Sequence, residues 1–165
     1  MSINHYYSAN DSTVEENWSN CDYFSRMSSR ASADFIPSMV KLAGKTMETA
    51  TGDWNLTPQQ LENMAKTEHL RWCAFHYIMG YEPMPMETYL ERINQYLAEK
   101  EEKGYSNLRF GKDTVTHQHI CLVPWEELDK LSEIEIRLAG KNQDYKAADV
   151  TNVLAIPKLI ASANS

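Results

Sequence analysis

The residue types able to do chemistry gather in one stretch, Thr57 to Tyr81, TPQQLENMAKTEHLRWCAFHYIMGY. Leu61, Met64, Ala65, Trp72, Phe75 and Met79 recur there at helical spacing and make one apolar face. Glu68 lies inside that face, one turn before Trp72. A carboxylate directed at a core must be paired, hydrogen-bonded or protonated, because burying it bare is costly. Two readings follow. In the first, Glu68 caps another helix or pairs with an arginine, and Trp72 is core. In the second, the two look into a shared pocket, where the indole offers a flat apolar surface and the carboxylate accepts a ligand N–H or O–H. His69 and Arg71 flank the stripe and would reach the rim of such a pocket.

Metal and covalent chemistry are less well supported. His69, Cys73 and His76 stand at i, i+4 and i+7, and His117 and His119 share a face if their segment is extended. A zinc site can be drawn from these residues, but the spacing matches no recognised ligand pattern, so no metal or other cofactor is expected. Cys121 follows His119 by two residues, which does not by itself pair a nucleophile with a base. Glu68 and His119 could serve as an acid–base pair, yet no substrate is indicated. The GKT at 44–46 lacks the upstream glycine and strand of a phosphate loop. No catalytic residue is assigned, and the chain is read as a non-enzyme.

Three strings, Glu68-His69-Leu70-Arg71-Trp72, Gly80-Tyr81, and His119-Ile120-Cys121-Leu122-Val123-Pro124-Trp125-Glu126-Glu127-Leu128, resemble the RyR domain, the repeated module of ryanodine receptors, in the stand-alone form that bacterial proteins carry. The likeness covers about residues 57–160, and Ser25 to Gly44 resembles the segment that precedes this domain in bacterial relatives. Ile120 stands where the family usually has proline, and a helical insertion at 84–106 separates Tyr81 from the later strings. The resemblance implies a mainly α-helical, non-enzymatic regulatory module similar to ones that accept nucleotide-like ligands. Glu68, Trp72, Tyr81, His119 and Trp125 are the positions it carries over, with Arg71 at the rim.

These residues need elements to hold them. Thr57 caps the central helix, Pro58 suits its first position, Gln60 completes a capping box, and Gly80 ends it. Upstream, residues 1–11 are expected to be a flexible tail, and 12–56 an N-terminal helical segment. Ser12 or Thr13 would cap a first helix with Glu15 and Glu16 in its first turn. Asp22 to Arg30 reads as a bend into a second helix, Ser29 to Leu42, with a kink or a restart at Pro37 and closed by Gly44. Glu87 to Lys103 is strongly helical, with Tyr89, Leu90, Ile93, Tyr96 and Leu97 on its apolar side, and is read as an inserted arm whose tyrosines serve a partner or a dimer. Asn107 to Val123 is expected to form a short β-hairpin with Gly111-Lys112-Asp113 as its turn. Pro124 opens a helix carrying Leu128, Leu131, Ile134, Ile136 and Leu138 to Gly140, and a last helix over Asp144 to Ala163 is broken at Pro157. The fold class is therefore mainly α, a helical domain with one short β-hairpin and an inserted arm.

Bulk properties limit the partners. A chain of 165 residues with 42% hydrophobic and 24% charged residues fits a soluble globular protein. The net charge of -7 and the lack of a basic run argue against nucleic acid as partner. No apolar stretch is long enough to span a bilayer, and the N-terminus does not read as a signal peptide. Cys21, Cys73 and Cys121 read as reduced thiols in a cytoplasmic protein. Two hypotheses emerge. One is a ligand-sensing module in which a small nucleotide-like molecule stacks near Trp72, oriented by Glu68 and His119. A phosphate-rich ligand would need Arg71, Arg109 or Lys112 to converge on it. The other is a structural or protein-interaction domain that forms a homodimer.

Overall fold

The computed structural model describes residues 13–141 and 143–163. The tail expected over 1–11 lies outside them. The described residues form six α-helices: α1 (Val14–Asn20), α2 (Tyr23–Leu42), α3 (Pro58–Ile78), α4 (Met86–Lys103), α5 (Leu128–Ala139) and α6 (Tyr145–Ala163). Three two-residue strands, β1 (Glu82–Pro83), β2 (Lys112–Asp113) and β3 (Gln118–His119), and a 3-10 turn at Trp125–Glu127 complete them. The mainly α class is as expected.

Local chemistry sets the helix ends. Thr13 and Glu16 make a reciprocal capping box at α1. Thr57 and Gln60 do the same at α3: the Thr57 N–H donates to Gln60 Oε1 at 2.9 Å, and the Gln60 N–H to Thr57 Oγ1 at 3.3 Å. Gly80, at φ 80°, takes the left-handed conformation that turns the chain out of α3. The start of α2 and the continuity of α6 differ from expectation. Asp22 accepts the Ser25 N–H at 2.7 Å, so α2 starts at Tyr23 where the sequence suggested a bend. α6 runs on through Pro157, where a break was expected, and α2 continues through Pro37 without a restart. An interior proline costs about 3 kcal/mol. Burial of Met39 and Val40 beside Pro37, and of Val153, Ile156 and Ile160 around Pro157, offsets that cost.

The chain divides into two compact units, one of Met1–Glu68 with Val150–Ser165 and one of His69–Asp149. Both divisions fall inside the stretch 57–160 that the sequence presents as a single module. The first unit has its core at Met39, Val40, Ala50, Trp54, Met64, Val153, Ile156 and Ile160. Trp54 is fixed there by its indole N–H, which donates to the Ala50 carbonyl at 2.9 Å.

In the second unit β3 is the central strand, parallel to β1 and antiparallel to β2. A hairpin, β2–β3, forms within the expected stretch, but Lys112 and Asp113, read as its turn, are strand β2; β1 was not foreseen because Pro83 suggested irregular chain. A proline is tolerated there because β1 is an edge strand that bonds through the neighbouring N–H groups of Glu82 and Met84. The segment expected as an inserted arm is helical, but it belongs to this unit's core. Tyr89 and Ile93 are 0% exposed and Tyr96 7%. They repeat at i, i+4 and i+7, and Tyr89 and Tyr96 pack on Phe110. The chain itself covers these tyrosines, so they offer no surface to a second copy.

Candidate functional site

Within the second unit, α3 carries a stripe of rings, His69, Trp72 and His76, at helical spacing. The His69 ring lies nearly parallel to the Trp72 indole, centroids 6.0 Å apart, and the His76 ring packs against it at 3.8 Å. Leaving α3 at Gly80, the chain returns Tyr81 to His76: the Tyr81 N–H donates to the His76 carbonyl at 2.9 Å, and the two rings meet edge to face at 5.2 Å. From β3, His119 meets Trp72 edge-on at 4.8 Å and His76 at 5.5 Å. His117, in the left-handed region at φ 53°, stacks on Tyr81 at 5.0 Å. Trp72, Tyr81 and His119, named from the sequence, thus meet around His76, which was not named among them.

The buried His69 and His76 and the half-buried His119 differ in charge. His69 is 2% exposed. Its Nδ1 lies 3.2 Å from Asp149 Oδ2, and its Nε2 2.8 Å from the Val123 carbonyl. Both partners are acceptors, so both ring nitrogens must carry protons. Burial pulls the imidazolium down, but the bonds with Asp149, Cys73 and Val123 outweigh it and hold it at about 10. His76 and His119 go the other way. Burial, with Lys112 and Arg71 nearby, presses His76 down to about 4, although its bond to the Trp72 carbonyl opposes this. Burial, with His76 and Lys112, presses His119 to about 3. The hydrogen bonds agree: His119 Nδ1 accepts the Cys121 N–H at 3.1 Å, so the neutral ring carries its proton on Nε2.

His119 also lines a cleft of about 340 Å3, together with Arg109, Lys112, Lys141, Glu135 and Tyr145 and the apolar Phe110 and Ile120. The β2–β3 register sets Lys112 opposite His119. Arg92 of α4 fixes the loop beneath them: its guanidinium donates to the carbonyls of Arg109, Phe110 and Lys112 and to Asp113 Oδ2, at 3.0 to 3.2 Å. Lys112 Nζ stands over the Tyr81 ring at 4.9 Å, and Lys141 Nζ over Tyr96 and Phe110 at 4.4 and 4.6 Å. Arg109 is exposed and has no side-chain partner among the described residues.

The remaining expected residues fall elsewhere. Glu68 is buried, as its position in the apolar stripe suggests, but in the first unit. There its Oε1 takes the Asn152 amide at 3.4 Å. It lines a cavity of about 20 Å3 with Ser32, Phe35 and Asn152, the space of about one water molecule. Arg71 is half-buried, and its charge bears on His76. Trp125 is buried against His69 at 5.9 Å, with Lys146 Nζ over its ring at 5.0 Å. Sequence reasoning passed over Glu135, Lys141 and Tyr145. Glu135 left a signal of the same kind as Glu68: Leu128, Leu131, Glu135 and Ala139 are the buried positions of α5, a carboxylate inside an apolar stripe. Lys141 and Tyr145 gave none.

Among the described residues, no group of three histidine, cysteine or acidic side chains is arranged to hold a metal ion. None of the described helices is long and apolar enough to cross a membrane. Compared with known proteins, the chain matches no family model, no curated protein and no solved structure.

Proposed function

We propose that this chain is a non-enzymatic ligand-sensing module, of the regulatory kind that resemblance to the RyR domain implies, and that it takes a small nucleotide-like anion in the cleft beside His119. One observation carries the reading: Arg109, Lys112 and Lys141 line a single cleft with His119 in a chain whose net charge is -7. Such local reversal of sign draws an anion to that place. It also meets the requirement that a phosphate-bearing ligand sets for an acidic protein. The volume suits a small ligand, for which pockets of about 300–1,000 Å3 are usual. His119 contributes an Nε2–H donor with no partner among the described residues. Trp72 holds His119 edge-on and does not itself supply the stacking face, since two imidazoles flank it.

The test is thermal unfolding of the purified chain with AMP. Binding to the folded state raises stability by about 2.7 kcal/mol at a ligand concentration of 100 Kd. AMP should raise the Tm of the native chain, and an Arg109→Gln/Lys112→Gln double variant with an ordinary ligand-free Tm should lose the rise. No rise at millimolar AMP, or an equal rise in the double variant, would overturn the reading.

The packing of Trp72 between His69 and His76 favours a second reading, a structural domain without a small ligand. A Trp72→Ala chain that unfolds, with no nucleotide response in the native protein, would support it. A folded Trp72→Ala chain that loses the AMP response would support sensing.

A further inference from the structure

The cleft contains one group that an anion site does not need. Glu135 is 4% exposed and lines the cleft among the three cations. Its Oε2 accepts two phenols, Tyr89 at 3.2 Å and Tyr145 by a short bond. Burial pushes both phenols well above their ordinary range, so they remain donors and keep Oε2 occupied. Oε1 accepts no hydrogen bond among the described residues. Oε1 is not among the buried polar atoms left without a partner, so it opens to water in the cleft and can exchange that water for a ligand donor.

We infer, resting on the ligand-sensing reading, that the cleft is bipolar and selects a ligand joining an anionic group to an N–H-bearing group. The N–H meets Glu135 Oε1, and the anion meets Arg109, Lys112 and Lys141. A bare anion is disfavoured because it adds a like charge beside Glu135 without filling the open acceptor. A nucleotide with an exocyclic amine satisfies both ends. Neither end needs rebuilding on binding: the two phenols anchor the carboxylate, and Arg92 pins the cationic loop through three carbonyls. Sites built to pair a ligand N–H or O–H reject analogues lacking it far more strongly than apolar pockets reject a missing methylene.

Calorimetric titration of the full chain with AMP, purine riboside 5′-monophosphate and inorganic phosphate tests this. The two nucleotides share the phosphate and ring system and differ by the amine. AMP should bind at least about 10-fold tighter than the amine-free analogue, which is about 1.4 kcal/mol, with inorganic phosphate weaker still. Glu135→Gln keeps an oxygen for the two phenols, and it should bring the two nucleotides to within about 3-fold of each other, less than 1 kcal/mol. If Glu135→Gln does not fold, the ratio in the native chain decides alone. Equal affinity of AMP and its amine-free analogue in the native chain overturns the bipolar site and leaves the anion cleft standing. Failure of every nucleotide to bind overturns the cleft as a ligand site, and this inference with it.

Discussion

Trp72 separates two imidazole neighbourhoods of opposite character. On the His69 side, each ring nitrogen faces an acceptor, Asp149 or the Val123 carbonyl, and the ring is a buried cation. On the other side, His76 and His119 pack among other rings near Lys112, and both are neutral. The residue type is the same and burial opposes the charge in all three. What differs is the charged partner: the Asp149 carboxylate beside His69, cations near the other two. The His69 side is a clamp tying α3 to Asp149 and Val123. The His76–His119 side holds an uncharged donor at the edge of the basic cleft.

The largest effect should come from breaking the clamp. Asp149→Ala removes the counter-charge that keeps His69 protonated and leaves its Nδ1 without that partner. Removing one member of a buried pair typically costs about 3–5 kcal/mol, and urea unfolding should show a loss of that order. The double replacement His69→Leu/Asp149→Leu should recover much of it, because an apolar pair of suitable size avoids the desolvation cost. A loss under about 1 kcal/mol in Asp149→Ala, a value usual for an exposed pair, would mean that the pair does not act as a clamp.

Next in size is the pH profile. His69 has a folded value near 10 against 6.5 unperturbed. Its contribution is therefore complete below about pH 6.5 and lost as pH rises toward 10. His76 and His119 have folded values near 4 and 3. Their contributions are complete above about pH 6.5 and lost as pH falls through those values. Stability from these three groups should peak near pH 6.5 and fall on both sides. Asp149→Asn should flatten the alkaline side and His76→Gln the acid side. Denaturant midpoints measured from pH 3 to 10 give the result, and an unchanged alkaline side in Asp149→Asn would remove the clamp from the explanation.

The two neighbourhoods also differ in how far the sequence discloses them. The helix frame is legible because caps and terminators act locally: Thr57 with Gln60, Thr13 with Glu16, and Gly80 all work where pattern places them. Burial of Glu68 is legible from periodicity. Its partner is not, since Asn152 lies on α6 and only the tertiary fold makes them neighbours. For the same reason His69 gives no hint of its charge, which Asp149 imposes from far along the chain. Tyr89 and Tyr96 mislead: an amphipathic tyrosine stripe looks alike whether another chain or Phe110 covers it. Arg109 and Lys112 can be picked out singly, yet their convergence with Lys141 depends on the loop that Arg92 fixes.

A smaller perturbation asks whether the neutral side is shaped by backbone packing, as the clamp is by charge. The Ile120 N–H, next to His119, donates to the Gly111 carbonyl at 2.9 Å. A Cβ on Gly111 would lie 3.1 Å from Ile120 Cγ2 and 3.6 Å from the Tyr145 hydroxyl. Gly111 does not use the positive φ that favours glycine, so alanine there meets only a spatial obstacle. Ile120 is buried, and the neighbours must shift by a few tenths of an ångström. Gly111→Ala should lower stability by about 1 kcal/mol, the low end for overpacking. It should also weaken AMP binding, by moving β2, and with it Lys112, against His119. Its pH profile should keep the shape of the native one, because no titrating group is removed. A Gly111→Ala chain with native stability and native AMP affinity would show that this close approach positions nothing, leaving Arg92 as the source of order in the loop.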